Sequence, residues 1–139
     1  MGLDQYAYRV PKMYKIDAFH FSKEVPEDEF FYLRKNYLVD DFMQNLYVAK
    51  GGKEEFNCKY VEVTREDLDA FLKLLEDRVS VIEQERQRIK DMTSIYKKIG
   101  CKVQLTDTSY DDYKEALDFI EICYSVLNDD DLIYYSNWW

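Results

Sequence analysis

The amino-acid sequence predicts an α+β fold: a small antiparallel or mixed sheet using N- and C-terminal strands, packed with three to four helices. Three observations carry this. Both ends of the chain run in β-forming residues with period-two alternation. The middle carries apolar residues at helical spacing. Strands and helices also lack the regular βαβ rhythm of a parallel sheet. The 139 residues fit a single domain, 1–139, and no linker, low-complexity stretch or internal repeat divides them.

Taken in order, Leu3 to Val10 is the first strand, with Tyr6, Tyr8 and Val10 on one side and Ala7 and Arg9 on the other. Pro11 has no N–H for a ladder and ends it. Tyr14 to Phe21 reads as a second extended piece. Ser22 to Glu29, polar and carrying Pro26, suits the first turn of a helix. From Phe31, the positions Phe31, Leu38, Phe42 and Leu46 follow one helical stripe, and Gly51-Gly52 supplies a left-handed stop. Lys59 to Val63 alternates as a short strand.

Thr64 and Asp67 then form a capping box ahead of Leu68, Phe71, Leu72, Leu75, Val79 and Ile82. The polar run Glu83 to Arg88 interrupts the stripe before Ile89, Met92, Tyr96 and Ile99 resume it. Residues 65–99 are therefore one long helix or two with a break near 83–88. Leu68, Leu75, Ile82, Ile89 and Tyr96 form one heptad seam, but Arg78 and Glu85 spoil the companion seam of a sustained coiled coil. Lys102 to Leu105 reads as a strand. Ser109 and Asp112 cap a further helix with the stripe Tyr113, Leu117, Ile120, Tyr124 and Leu127. Asn128 to Asp131 is a turn, and Leu132 to Trp139 is an aromatic strand.

Composition excludes several classes of function. Apolar residues at 47% and aromatics at 17% argue against disorder. No apolar run approaches the ~20 residues needed to cross a bilayer, and no basic segment leads into an apolar one, so neither membrane span nor signal peptide is expected. Cys58, Cys101 and Cys123 are odd in number and contain no C-x-x-C pair, which suits a reducing interior. With His20 the sole histidine, a zinc site would have to gather ligands from across the chain, so no metal is expected. Phosphate-binding glycine motifs and nucleophile elbows are absent, so no cofactor and no catalytic constellation are expected.

The candidate sites are for binding. Arg34 and Lys35, followed by Asn36, could receive a phosphate or carboxylate, or else lie on the surface as partners of Glu27 and Asp28. A strand sends Trp138 and Trp139 to opposite faces, one to the core and the other outward beside Tyr135 as an exposed aromatic patch. Acidic residues outnumber basic ones by 28 to 19, giving a net charge of -9. That sign disfavours direct contact with nucleic acid and fits docking onto a basic surface, though acidic surfaces also simply solubilise.

Several segments resemble a family of small proteins encoded by tailed phages and prophages. They are Gly2-Leu3-Asp4-Gln5-Tyr6, Phe31-Tyr32-Leu33-Arg34-Lys35-Asn36, Phe42-Met43-Gln44-Asn45-Leu46-Tyr47, Glu55-Phe56-Asn57-Cys58, Val63-Thr64-Arg65-Glu66-Asp67-Leu68 and the ending Tyr134-Tyr135-Ser136-Asn137-Trp138-Trp139. The family usually has Trp where Leu33 stands and His near Tyr37-Leu38-Val39. The resemblance implies a phage origin and action in the cytoplasm of an infected bacterial host; it supplies no mechanism. Asn57, Cys58, Tyr110 and Asp111 are further polar family-like positions, and with Asp4 and Arg34 they would form a polar pocket if the fold gathers them. The expectation is a non-catalytic protein that contacts a host or phage protein with a basic surface, as an inhibitor. One alternative is a small-molecule, nucleotide-like binding protein or enzyme using Arg34, Asn57, Tyr110 and Asp111. Another is a structural homodimer pairing through residues 68–99.

Overall fold

In a computed structural model of the protein, which describes residues 2–25, 28–98 and 108–139, four strands form one antiparallel sheet with helices on one face. The elements are β1 (Asp4–Pro11), a 3-10 turn (Lys12–Tyr14), β2 (Glu29–Arg34), α1 (Tyr37–Ala49), β3 (Tyr60–Val63), α2 (Arg65–Lys98), α3 (Thr108–Val126) and β4 (Asp131–Trp138). Strand order is β2-β1-β4-β3. The centre is the β1–β4 pair, in unbroken register from Asp4↔Trp138 to Pro11↔Asp131. The expected α+β class is therefore the observed one.

Alternation along the strands sorts the two faces. Ala7, Leu33, Val61, Val63, Ile133 and Tyr135 point to the helices and pack with Val39, Met43, Leu68, Phe71, Phe119 and Ile120. On the opposite face, Val10 and Tyr134 form a smaller cluster with Val25, Tyr14, Phe21, Tyr60 and Leu132. The 12–25 segment is therefore a cover for half of the back face. Its Ala18 carbonyl also accepts the Glu62 N–H at 2.7 Å, occupying part of the free edge of β3.

Helix boundaries follow local chemistry where it is strong. Thr64 and Asp67 make the reciprocal capping box, Thr64 N to Asp67 Oδ2 at 2.9 Å and Asp67 N to Thr64 Oγ1 at 3.2 Å. Gly51 adopts φ +106° just past α1, the left-handed stop that the glycine pair predicts. α2 is one continuous helix rather than two, about 51 Å long at 1.5 Å per residue.

Other expectations are corrected. The described residues of 22–29 show no helix, and Phe31 is not on one: Glu29–Arg34 is a strand paired with β1. Phe30-Phe31-Tyr32 is a strong β-forming run, and the exposed edge of β1 offers it a ladder that outweighs the helical spacing further on. α1 is capped instead by Asn36, whose Oδ1 accepts the Val39 N–H at 3.1 Å. Tyr14–Phe21 is not a strand; only an isolated Lys15↔Phe21 bridge forms there. The buried face of α3 centres on Ala116, Phe119, Ile120 and Cys123, with Tyr113, Leu117, Tyr124 and Leu127 flanking it. α3 also starts at Thr108, so Ser109 lies inside the first turn and not at the cap. Neither terminal tryptophan belongs to the buried core. The Lys102–Leu105 strand lies outside the described residues.

Burial gives the fold a defined sensitivity to alkali. It pushes the Cys123 thiol up from 9.0 to about 12 and the Tyr135 phenol above the ordinary phenol range. The folded state thus holds protons that the unfolded chain releases above pH 9.0 for Cys123 and above 10.0 for Tyr135. Their contribution is complete below those values and is lost as pH rises, by about 1.4 kcal/mol per pH unit for each group. Urea midpoints measured from pH 7 upward should stay level to about pH 9 and then fall steadily. A midpoint that stays level to pH 11 would contradict this burial.

Candidate functional site

The half of the back face that the 12–25 segment leaves open carries a designed-looking set of side chains. Cross-strand partners share a face, so the register builds rows across the sheet. Arg34, Asp4 and Trp138 make one row; Tyr32, Tyr6, Ser136 and Tyr60 make the next. Tyr6 packs against Tyr32 with centroids 5.4 Å apart and stacks on Tyr8 at 6.2 Å, and Tyr8 meets Tyr60 edge-on at 5.7 Å. Tyr32 is 48% exposed and Trp138 57%, both large values for rings on a strand.

Acidic groups set the electrostatics of this surface. The Tyr32 hydroxyl donates to Asp4 Oδ1 at 2.5 Å, and that hydrogen bond raises the Tyr32 pKa. Partial burial, then the charges of Asp4 and Glu29, raise that of Tyr6. Both phenols therefore stay neutral at physiological pH. Rings with carboxylates beside them suit guanidinium and ammonium groups, which stack on the π-faces while donating to the oxygens. Arg34 folds back over the chain at Gly2, where an added Cβ would lie 3.5 Å from its guanidinium.

Beneath the sheet, on the helix side, a polar network occupies the core. Gln5 Nε2 donates to the Asn36 carbonyl at 2.9 Å and to the Tyr135 hydroxyl at 2.8 Å, while the Asn36 N–H donates to Gln5 Oε1 at 2.8 Å. Tyr135 in turn donates to Asp40 Oδ1 at 2.9 Å, joined there by Asn137 Nδ2 at 2.7 Å. Gln5, Asn36, Asp40 and Asn137 are all buried. They tie β1, β4 and the start of α1 together, and the chain of bonds is satisfied at almost every atom.

Of the residues singled out by sequence, the register brings Asp4, Arg34 and Trp138 into one row. The others part ways. Tyr135 is not beside Trp138 in an outward patch: the two are an odd number of residues apart, and Tyr135 is buried on the helix side. Lys35 is not helical; it takes φ +56° in the turn between β2 and α1. Asp28 pairs with Arg9 at 2.7 Å, not with Arg34 or Lys35. Asn57 and Cys58 act as a clamp on the end of β4. Asn57 Nδ2 donates to the Trp139 carbonyl at 2.8 Å and its Oδ1 accepts the Trp139 N–H at 3.1 Å, while the Cys58 N–H donates to the Asn137 carbonyl at 2.8 Å. Asp111 is exposed on α3, and the side chain of Tyr110 lies outside the described residues. Asp4 and Arg34 thus sit in a sheet row, Asn57 and Cys58 bind the backbone of the final strand, and Asp111 lies on α3.

Sequence reasoning passed over Gln5, Asp40 and Asn137. The signal was present: Gln5 and Asn137 stand in the inward phase of their strands, alongside Leu3, Ala7, Ile133 and Tyr135. Among the described residues no group of three or more His, Cys, Asp or Glu could hold a metal ion, and no helix is long and apolar enough to cross a membrane. Burial keeps the Cys123 thiol and the Tyr135 phenol protonated at neutral pH, the opposite of what activates a nucleophile. No family model, curated protein or solved structure matches this chain.

Proposed function

We propose that this protein works by binding: the open sheet face docks onto a protein with a basic surface. Trp138 and Tyr32 are the anchors, and Asp4 supplies the counter-charge. The observation that carries the reading is the contiguous set Arg34–Asp4–Trp138 and Tyr32–Tyr6, aromatic, partly exposed and framed by carboxylates on the face opposite the described helices. Aromatic anchors of this kind contribute most of the energy at protein interfaces. The net charge of -9 favours a cationic partner and speeds encounter with it. The resemblance to phage-encoded proteins supports a host or phage protein as the partner, inhibition as the outcome and the cytoplasm of an infected bacterium as the setting. Pairing between copies through residues 68–99 is a weaker reading, because Leu68, Phe71 and Leu75 are already used in the core.

The test is affinity capture from bacterial lysate at low salt, comparing the natural protein with the double variant Tyr32→Ala/Trp138→Ala. A stoichiometric partner should be recovered, released by rising salt, and lost from the variant. Each truncation should weaken binding by about 30-fold, equivalent to roughly 2 kcal/mol. Because both side chains are exposed, the variant should melt near the natural protein. A partner retained equally by the variant would overturn the assignment of this face.

A further inference from the structure

We propose that a cavity of about 320 Å3 between the start of β1, the first turns of α1 and Trp139 binds an alkylammonium or guanidinium group. Tyr37, Asp40, Asp41, Gln44 and Trp139 are among the residues that line it. The site is separate from the tyrosine row and does not depend on the docking reading.

Asp40 is the first reason. Its residue is 3% exposed, yet among the described residues its carboxylate accepts from neutral donors. Tyr135 and Asn137 donate to Oδ1 at 2.9 and 2.7 Å, and Gln44 Nε2 donates to Oδ2 at 2.7 Å. The carboxylate thus accepts three hydrogen bonds, two at Oδ1 and one at Oδ2. Among the described residues no ion pair joins Asp40 to a cation. The N-terminal end of α1 offers only partial positive charge. A buried carboxylate gains most from a full countercharge, and here the cavity is where one can enter.

The second reason is a shortage of donors. Asn137 Oδ1 is buried with no hydrogen-bond partner, although Asn137 Nδ2 is engaged with Asp40. Turning the amide over would set its oxygen against the carboxylate oxygen, so the present orientation is fixed. Behind the cavity wall, where Asn137 meets Asp40, the network thus has an acceptor to spare, and Asp41 adds another carboxylate to the wall itself. Its charge and that of Asp40 both bear on the Tyr135 phenol, after burial the causes that raise its pKa. Ammonium and guanidinium groups bring only donors.

The aromatic walls select the kind of cation. Trp139 is held by its indole N–H to the Phe56 carbonyl at 3.2 Å and by the Asn57 clamp, so it is a fixed wall. Together with Tyr37 it favours organic cations that stack on π-faces over a compact hydrated metal ion. Such a group could belong to a free small amine or to a Lys or Arg side chain of another protein.

Calorimetry and thermal melting with n-butylammonium chloride and N-methylguanidinium chloride, against sodium chloride at equal ionic strength, test the site. The organic cations should bind with Kd of about 1 mM and raise the melting temperature where sodium does not. Tyr37 and Asp41 are exposed, so Tyr37→Ala and Asp41→Asn should fold normally and each weaken binding about tenfold, with Tyr32→Ala/Trp138→Ala unchanged. A capped peptide carrying one Lys or Arg that binds at least about tenfold tighter than the free probes identifies a protein side chain as the source; equal affinities identify a free amine. Failure of both probes to exceed sodium at about 20 mM, or binding indifferent to Tyr37→Ala and Asp41→Asn, would overturn the proposal.

Discussion

Replacing Asp40 by alanine should lower the free energy of unfolding by about 3–5 kcal/mol, because several donors lose one shared acceptor at once. The loss is more than one carboxylate. Tyr135 O–H, Asn137 Nδ2 and Gln44 Nε2 all lose their acceptor, and two of those donors lie in the core. An unsatisfied buried donor costs about 1–3 kcal/mol, so the sum is consistent with the upper part of that range. In urea, with a slope of about 1–3 kcal/mol per molar, the midpoint should fall by roughly 2 M. Asp40→Asn separates charge from shape: its new amide must face one of the existing donors, so a loss of about 1–3 kcal/mol is expected at unchanged volume. A midpoint for Asp40→Ala within about 0.2 M of the natural protein would show that the network adds nothing to stability.

Phe71→Ala should have a comparable effect by a different route. Phe71 is fully buried in the first turns of α2 and stacks on Phe42, centroids 4.3 Å apart and planes 19° from parallel. Truncating such a ring removes its transfer free energy and leaves a cavity that packed neighbours only partly fill, together about 3–5 kcal/mol. The melting temperature should drop by roughly 10 °C or more. Leu74, three positions along the same helix, is 40% exposed, and Leu74→Ala should stay within about 0.5 kcal/mol. Equal effects at the two positions would place the core on the wrong face of α2.

Local chemistry explains which elements were legible in the sequence. The Thr64–Asp67 box, the Gly51 stop and the alternating first and last strands each depend on residues within a few positions of one another. β2 does not. Phe30-Phe31-Tyr32 fits a helix or a strand until β1 is known to lie beside it, and that partner comes from elsewhere in the chain, as the Tyr32–Asp4 bond across 28 residues shows. The candidate site divides along the same line. Asp4, Arg34 and Trp138 stood out individually, but only antiparallel register makes them neighbours. Placing Tyr135 with Trp138 went against period two, which the sequence already displayed. Asn57 and Cys58 looked like pocket residues because polar groups near a cysteine invite chemistry, whereas their bonds go to the backbone of the final strand. Gln5 and Asn137 show the opposite case: each is a polar side chain in an otherwise apolar phase, a visible signal of burial whose partners lie across the core.

Strand order carries a consequence for biogenesis. The two inner strands are supplied from opposite ends of the described chain, and Gln5 and Tyr135, which touch, are 130 residues apart in sequence. As the polypeptide leaves the ribosome, β1 can zip to β2 early but must wait, one flank bare, until β4 emerges to fill the gap and admit β3. Refolding should accordingly be slow for a chain of this size, because closing the central pair over so long a loop costs entropy before its contacts form.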